Sequence, residues 1–186
     1  MNELSTLNEP AVLKAISEDT VALGFNMASS SRTGTLLRTL AASKCGGRFL
    51  EVGTGTGLST AWILAGMDDN ATLITVDNDP AVTQIAQKHL GQDPRVTIKT
   101  MDGVEFLQDT QGEQFDYIFA DSWPGKYDEL ELALNLLKVG GFYIIDDMLP
   151  QENWPVGHDK KVKALLETLE SLSNFTLTKM NWDTGL

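Results

Sequence analysis

The 186-residue sequence predicts an α/β protein with a Rossmann-like, doubly wound and mostly parallel sheet. Short apolar segments alternate with helical segments of about ten to fifteen residues, a pattern typical of parallel strands connected by helices. The apolar segment 48–52 is also followed by glycine at every second position (Gly53, Gly55 and Gly57) and then by an apolar helical segment at 60–66. Strand, glycine turn and helix in this order are typical of the first unit of such a sheet.

The remaining elements follow from hydrophobic spacing and from residues that start or stop helices. Residues 1–23 have apolar positions among acids, including Leu4 and Leu7, and predict one or two short helices. Together with a helix predicted at 35–42, these helices are expected to form a helical cover (residues 1–42) over the Rossmann-like core (residues 43–186). Asp79 and Pro80 open a helix as its N-cap and first residue. The further predicted strands are 71–76, 95–100, 114–120, 142–145 and 175–182, and the further predicted helices are 79–90, 103–107, 127–138 and 158–172.

Composition is ordinary for a globular protein and excludes several classes of partner. The length predicts one domain, 1–186, and 42% of the residues are hydrophobic and 22% charged. No apolar segment is long enough to span a membrane, and the first 25 residues contain acids where a signal peptide is basic, so we expect a cytoplasmic protein without a membrane partner. The net charge of −12 argues against a nucleic-acid partner. The single cysteine, Cys45, cannot form an internal disulfide.

The glycine turn indicates which ligand the first unit binds. Its pattern is Glu-x-Gly-x-Gly-x-Gly, beginning at Glu51, whereas a dinucleotide fingerprint is G-x-G-x-x-G. This pattern resembles motif I of the class I S-adenosylmethionine-dependent methyltransferases. The resemblance implies that Glu51 faces the amino group of the cofactor. It also implies that Gly53, Thr54 and Gly55 pass under the methionine and ribose portions.

Aspartates follow four successive predicted strands, at the edge where ligands of such sheets bind: Asp77, Asp102, Asp121 and the pair Asp146-Asp147. A single acid at such a place is commonly a helix cap. Asp77 lies 20 residues after Gly57, where a carboxylate can accept hydrogen bonds from both ribose hydroxyls of a nucleoside. By position, Asp102 suits the exocyclic amine of adenine and Trp123 suits its flat face.

Several segments together resemble the cation-dependent O-methyltransferases of the catechol and caffeoyl-coenzyme A type: 50–60, 76–77, 101–103, 115–123 and 140–147. The resemblance extends roughly over residues 25–150 and implies methyl transfer from S-adenosylmethionine to a small-molecule hydroxyl acceptor. It further implies that Ser59 binds the methionine carboxylate, Asp77 the ribose and Trp123 the adenine. The loop at Met27 is similar to the family's loop over the methyl donor.

The resemblance also implies a divalent cation. The family's ligands correspond here to Asp121, Asp146 and Asp147, although the last stands where the family has Asn. Oxygen-only ligands select a hard ion, Mg²⁺ or Ca²⁺, which would bind the acceptor hydroxyls and lower the pKa of the one to be methylated. The alternative is that Asp146 caps a helix or lines the pocket while Asp147 faces solvent.

The general base of the family has no direct counterpart in this chain. The family lysine is the third residue after the metal aspartate, where this chain has Pro124. Lys126 could take the hydroxyl proton from a differently shaped loop, and the alternative is a solvated surface lysine. His158 is a second candidate for a base, but a surface histidine at a helix start is the preferred interpretation. In the loop beginning at Asn153, Trp154 either walls an acceptor pocket or covers the core.

Two other functions stay open at this point. One is a nicotinamide-dependent oxidoreductase, which Glu51 and the glycine spacing disfavour. The other is a non-catalytic cofactor-binding or interaction protein, which Pro124 favours.

The class I methyltransferase sheet usually has seven strands, and the chain stops at 183–186, where the turn into the last strand would begin. Either the protein lacks this antiparallel strand or the chain is truncated, and an unpaired sheet edge favours a homodimer.

Overall fold

The computed structural model describes residues 8–151 and 154–186, so the predicted positions Leu4, Leu7 and Asn153 lie outside the described residues. None of the described helices combines the length and apolar character needed to cross a lipid bilayer. In chain order the elements are α1 (Leu13–Leu23), α2 (Ser31–Ala42), β1 (Arg48–Val52), α3 (Leu58–Gly66), β2 (Thr72–Asp77), α4 (Pro80–Leu90), β3 (Val96–Thr100), α5 (Gly103–Asp109), β4 (Phe115–Ala120), α6 (Leu130–Asn135), β5 (Leu137–Ile145) and α7 (His158–Ser171).

These strands form one parallel sheet with the order β3-β2-β1-β4-β5, which confirms the predicted fold class. The register pairs Val52 of β1 with Val76 of β2 and with Ala120 of β4, and it pairs Ala120 with Ile145 of β5. The next residue of each strand therefore reaches the same edge of the sheet, at the point where the strand order reverses. These next residues are Gly53, Asp77, Asp121 and Asp146.

Alternate strand residues pack against helices on the two faces of the sheet. Phe49 and Tyr117 lie in one buried cluster with residues of α1, α2 and α3, so the predicted helical cover contributes to the core. Leu50 and Ile118 lie in a second cluster with residues of α5 and α6. Full burial of one such side chain contributes roughly 1.5 to 3 kcal/mol. Packing on both faces fixes the sheet and, with it, the edge at which the strands end.

The predicted helix 127–138 is wrong at both of its ends. The helix α6 covers only Leu130–Asn135, and Leu137 already pairs with Phe115 as the first residue of β5. The register then shifts, with Gly140 at a φ of 80°, before Phe142 pairs with Tyr117. The leucine-rich spacing suits a helix locally, but pairing with a distant strand decides the conformation at its end.

The predicted strand 175–182 is also wrong, because this segment forms no ladder with β5. Alternation of apolar and polar residues is a local signal, whereas a strand also needs a partner for its backbone. The chain after this segment instead pairs with the loop that follows β5. The backbone N–H of Leu149 donates to the Thr184 carbonyl at 2.8 Å, and that of Met148 donates to the Gly185 carbonyl at 3.1 Å. This pairing brings Thr184 to the ends of β4 and β5.

The packing of α2 on α3 depends on the absence of a side chain at Gly34. A Cβ there would lie 2.2 Å from Cδ1 of the buried Trp62. Alanine normally favours a helix over glycine by about 1 kcal/mol. Here we expect Gly34→Ala to lower the free energy of unfolding by about 1 to 3 kcal/mol, because the core is overpacked. Urea unfolding followed by tryptophan fluorescence measures the change.

Thr39→Ala is the matched control, since Thr39 is exposed on the same helix. We expect this variant to remain within about 0.5 kcal/mol of the wild type. A Gly34→Ala protein at least as stable as the wild type would contradict the close contact between the two helices.

Candidate functional site

A cavity of about 240 Å³ opens at the carboxyl edge of the sheet. It lies where the ends of β1, β2 and β4 meet the start of α5. Gly53, Asp77 and Trp123, which the sequence predicts as cofactor contacts, are all in its wall. The lining consists of Val52, Gly53, Val76, Asp77, Asn78, Gly103, Ser122, Trp123 and Pro124.

The glycine turn forms one side of this cavity and is fixed to β2. The backbone N–H groups of Gly53 and Thr54 donate to the Val76 carbonyl at 2.9 and 3.2 Å. Gly53 has a φ of 110°, and a Cβ there would lie 2.7 Å from the carbonyl oxygen of Asp121. Only glycine fits this position, because the turn approaches the backbone at the end of β4 and adopts a left-handed conformation.

Asp77 holds the turn and borders the cavity at the same time. Its Oδ2 accepts a hydrogen bond from the Gly55 N–H at 2.8 Å, and its Oδ1 accepts one from the Asp79 N–H at 3.1 Å. An ionised carboxylate offers about four acceptor sites, so each oxygen keeps a site for a ligand. Asp77 therefore has both the position and the acceptor capacity to bind a vicinal diol.

Glu51 is fully buried beneath the turn, and it is not among the residues that line the described cavity. Its carboxylate accepts hydrogen bonds from the hydroxyls of Ser59 at 2.6 Å, Thr60 at 2.5 Å and Thr75 at 2.6 Å. Thr54 extends this network, since its Oγ1 lies 2.6 Å from that of Thr75. Burial raises the pKa of Glu51 to about 7, although the three hydroxyl donors oppose the shift.

This hydroxyl network connects β1, β2, α3 and the glycine turn. The resemblance assigns Glu51 to the cofactor amino group and Ser59 to the methionine carboxylate, whereas the structure places these two side chains against each other. Thr60 and Thr75 are not predicted from the sequence. One feature of the sequence could have indicated a hydroxyl contact to Glu51. The pair Ser59-Thr60 lies in the first turn of α3, directly after an acid-containing strand and a glycine turn.

Trp123 lines the cavity, and Asp102, the other residue predicted to bind adenine, directly precedes the lining residue Gly103. Oδ1 of Asp102 accepts hydrogen bonds from the N–H groups of Val104 at 2.9 Å and Glu105 at 3.1 Å, so this acid does cap α5. The residue is exposed, and its second oxygen is left for a ligand. Trp123 is 45% exposed and packs edge-on against Tyr127 with 5.8 Å between ring centroids. An exposed indole face beside a cavity suits a flat heterocycle.

Asp121, Asp146 and Asp147 form an acid cluster at the ends of β4 and β5. Oδ2 of Asp121 accepts a hydrogen bond from the Ser29 hydroxyl at 2.7 Å. Asp146 is buried, and its Oδ1 accepts hydrogen bonds from the Thr184 hydroxyl and from the Asp147 N–H. Burial raises the pKa of Asp146 to about 6. Burial and repulsion by the other two acids raise the pKa of Asp121 well above its ordinary value.

Sequence reasoning missed the two hydroxyls that bind this cluster. Ser29 and Thr184 are 92 and 38 residues away from the acids they contact, so no local pattern indicates them. Ser29 does connect the predicted methyl-donor loop to Asp121, but the Met27 side chain in that loop is 68% exposed. Asp147 is half-buried with a φ of 59°, so it does not simply face solvent.

Lys126 is buried beside the acid cluster, with 4% of its surface exposed. Its ammonium donates to the backbone carbonyl of Asp146 at 2.6 Å, so the alternative of a solvated lysine is wrong. Burial lowers the pKa of Lys126, and the three acids of the cluster oppose the shift. A lysine with a lowered pKa is better suited to accept a proton near neutral pH. Pro124, which stands at the position of the family lysine, lines the cavity.

The acid cluster, as its side chains are placed, does not fit a divalent cation. Within residues 8–151 and 154–186, no group of three or more His, Cys, Asp or Glu side chains is arranged to hold a metal ion. Mg²⁺ and Ca²⁺ require about six or more oxygen ligands, waters included, at about 2.0 to 2.6 Å. The three predicted ligands are therefore neighbours, but they do not converge on one metal position.

Aromatic rings surround a buried histidine beside Lys126. His158 is 8% exposed, so its interpretation as a surface histidine is wrong. Its Nε2 lies 3.1 Å from the Tyr127 hydroxyl, and its ring centroid is 4.7 Å from that of Trp154. Among the described residues, Nδ1 of His158 has no hydrogen-bond partner. Burial lowers the pKa of this imidazole, and the charges of Lys126 and Lys161 add to the shift.

Comparison with known proteins gives one family and one fold. The model of the family described as "Methyltransferase domain" matches residues 50–148. A candidate O-methyltransferase of Mycobacterium avium is 30% identical over 146 residues, which are 76% of this chain and 65% of that protein. A candidate O-methyltransferase of Mycobacterium marinum is 30% identical over 169 residues, which are 87% of this chain and 75% of that protein. The chain thus spans 65% of the length of the first of these relatives.

The fold is that of a known methyltransferase structure. An O-methyltransferase from Bacillus cereus, crystallised in complex with SAH (S-adenosylhomocysteine), superposes with a TM-score of 0.82 and 21% identity. The superposition covers 94% of this chain and 86% of that chain.

Burial of Glu51 makes the stability of the protein depend on pH. Because its pKa is raised from 4.5 to about 7, the folded protein keeps a proton that the unfolded chain loses. The resulting stability is full below about pH 4.5 and is lost as the pH rises through about 7. We therefore expect Glu51→Gln, which keeps the shape of the protonated acid, to gain on the order of 2 to 3 kcal/mol relative to the wild type between pH 5 and 8.

Chemical denaturation at pH 5 and pH 8 measures this difference. Glu18→Gln is the matched control, since Glu18 is exposed, and it should follow the wild type at both values. The same dependence on pH in Glu51→Gln as in the wild type would contradict the buried position of this carboxyl group.

Proposed function

The chain belongs to the methyltransferase-domain family, and we propose on this premise that it transfers the methyl group of S-adenosylmethionine to a hydroxyl oxygen of a small molecule. One observation carries the proposal most directly. The cavity at the carboxyl edge of the sheet brings together a left-handed glycine, an aspartate with free acceptor capacity and an exposed indole. These are the groups that a nucleoside with a charged tail requires.

The adenosine part of the cofactor would occupy this cavity. Asp77 would accept hydrogen bonds from the two ribose hydroxyls, and Trp123 would pack on the adenine. The second oxygen of Asp102 would accept from the exocyclic amine. The methionine part would pass over Gly53, Thr54 and Gly55, towards Ser59 and the loop of Met27. Glu51 would support this turn from below, through its hydroxyl network.

Lys126 is the best-placed base for the reaction. In the proposed step, the Lys126 amine takes the proton of the acceptor hydroxyl while the oxygen attacks the methyl carbon in line with the carbon–sulfur bond. The carbon–oxygen bond forms, the carbon–sulfur bond breaks, and S-adenosylhomocysteine leaves. Burial of Lys126 lowers its pKa and supports this role. Most of the rate enhancement would come from holding the two reactants in line at close range.

Three predictions from the sequence do not enter the proposed step: the divalent cation, the homodimer and the cytoplasmic location. The resemblance predicts Mg²⁺ or Ca²⁺ at Asp121, Asp146 and Asp147, but these side chains do not form a metal centre among the described residues. The proposed step therefore uses no metal. A homodimer and a cytoplasmic location stay predictions from the sequence.

Non-catalytic cofactor binding is the second candidate function. It is favoured by Pro124, which lines the cavity where the family has its lysine. Incubation with S-adenosylmethionine and a panel of phenols, catechols and aliphatic alcohols, with detection of S-adenosylhomocysteine, separates the two functions. Product above the no-acceptor blank supports the transferase. Cofactor binding without turnover on any acceptor would favour the non-catalytic alternative.

Asp77 provides the sharpest test of cofactor placement. We expect Asp77→Ala to weaken binding of S-adenosylhomocysteine by roughly 100-fold or more, because two hydrogen bonds to a charged group are lost at about 1.5 to 3 kcal/mol each. The ligand-induced rise of the unfolding midpoint, measured by calorimetry over a range of ligand concentrations, reports the affinity.

Two controls separate ribose binding from the support of the turn. Asp77→Asn keeps an acceptor for the Gly55 N–H, so the turn should persist while the affinity falls less. Asp109→Asn changes the charge equally at an exposed position and should bind as the wild type does. Wild-type affinity in Asp77→Ala would show that the ribose is held elsewhere.

A further inference from the structure

The proposed function does not by itself explain why Lys126 is buried beside the acid cluster. We infer that the Lys126 side chain, and not a divalent cation, provides the positive charge at Asp121, Asp146 and Asp147, so that methyl transfer by this chain needs no bound metal ion. The inference rests on the proposed function for its chemistry. Its central claim concerns metal binding and can be tested without turnover.

A tight turn directs Lys126 inward. The carbonyl of Trp123 accepts hydrogen bonds from the N–H groups of Lys126 at 3.0 Å, Tyr127 at 2.8 Å and Asp128 at 3.1 Å. The Gly125 N–H donates to the Asp128 carbonyl at 2.8 Å, which closes the turn. With Pro124 fixing its own φ, the loop has a shape that places the lysine two residues later than the family pattern does. The ammonium then reaches the Asp146 carbonyl at 2.6 Å.

The environment of Lys126 is that of a resident cation. Only 4% of its surface is exposed, and burial of a charged group is costly unless opposite charges compensate for it. Three acids at the ends of two strands act on its pKa by their charge: Asp121 follows β4, and Asp146 and Asp147 follow β5. The hydrogen bond of the ammonium itself goes to the backbone carbonyl of Asp146. Lys161, the next lysine on this side, lies 3.9 Å from the Trp123 ring centroid and is exposed. Lys126 is therefore the buried lysine beside the acid cluster.

Among the described residues, hydrogen bonds already engage several of the oxygens that a divalent ion would need. One oxygen of Asp121 accepts from Ser29, and one oxygen of Asp146 accepts from Thr184 and from the Asp147 N–H. The carbonyl of Asp146, which could serve as a further oxygen ligand, already accepts from Lys126. A divalent ion placed among these acids would also be repelled by the ammonium, and such repulsion is strong inside a protein.

In the proposed reaction, Lys126 takes the place of a metal ion in the deprotonation of the acceptor hydroxyl. A cation at this position would make the acceptor hydroxyl more acidic. In the proposed reaction the resident Lys126 ammonium first gives its proton to water, and the neutral amine then takes the proton of the acceptor hydroxyl. The ammonium that forms is stabilised by the three neighbouring carboxyl groups. The proton moves from the hydroxyl oxygen to Nζ of Lys126, and the methyl group moves from sulfur to oxygen, so no further reactant is required.

Titration with Mn²⁺, with free Mn²⁺ counted by electron paramagnetic resonance, tests the inference. We expect no saturable site in the wild type up to about 1 mM Mn²⁺. Lys126→Met removes the charge at similar length, and we expect it to bind Mn²⁺ at least about tenfold more tightly, because the acids lose their counter-charge. Lys126→Arg keeps the charge and should behave as the wild type, which provides a second variant if Lys126→Met does not fold.

Two further variants identify the site of any binding. Lys161→Met removes a lysine outside the acid cluster and should leave Mn²⁺ binding unchanged, so a gain there would show a general effect of net charge and overturn the inference. Adding Asp146→Asn to Lys126→Met should abolish the gained site. Binding that persists in this double variant would likewise place the ion elsewhere.

The decisive contrary result is a stoichiometric Mn²⁺ site in the wild type that Asp146→Asn removes. Chelator-sensitive turnover would overturn the inference as well, while leaving the transferase function in place. Binding of S-adenosylhomocysteine in the presence of chelator is measured separately. Its absence would count against the proposed function, whereas the Mn²⁺ titration would still decide whether the acid cluster holds a metal.

Discussion

The candidate site depends on parallel strands that end at the same level. Backbone pairing aligns Val52 with Val76 and Ala120, and Ala120 with Ile145, so the following residues lie side by side at one edge. A shift of register by one residue would turn the side chains of a strand to the other face. The cavity and the acid cluster would then both be lost. Core packing on both faces of the sheet prevents such a shift and therefore also preserves the site.

The buried ionisable groups at the carboxyl edge of the sheet have two different environments. Glu51 is held in place by neutral hydroxyls, and its burial raises its pKa to about 7, so that its protonation changes near neutral pH. Asp146 and its neighbours are instead set against Lys126, a charged partner. The first arrangement lies beneath the glycine turn and supports the proposed cofactor site. The second lies beside the cavity, where the proposed proton transfer takes place.

The sequence predicted those parts of the site that local patterns determine. The glycine turn and the aspartates after each strand belong to the strand ends themselves, so the fold class was sufficient to bring Gly53 and Asp77 to one cavity. Ser29 and Thr184 reach the acids from distant segments, through a loop and through an irregular chain end, and no spacing rule predicts such contacts. The burial of Lys126 and His158 likewise depends on tertiary packing. For the same reason a leucine-rich helix was predicted too long at Leu137, where pairing with Phe115 begins β5.

Calorimetric titration of the wild-type protein with S-adenosylhomocysteine, with NADH as the competing cofactor class, is the most direct test of the central claim. If the cavity is a site for S-adenosylmethionine, one molecule of S-adenosylhomocysteine should bind per chain with micromolar affinity, in the presence of chelator, and NADH should not bind. NADH binding without S-adenosylhomocysteine binding would contradict the account and indicate an oxidoreductase. Binding of neither would show that the groups in this cavity do not hold a nucleoside cofactor.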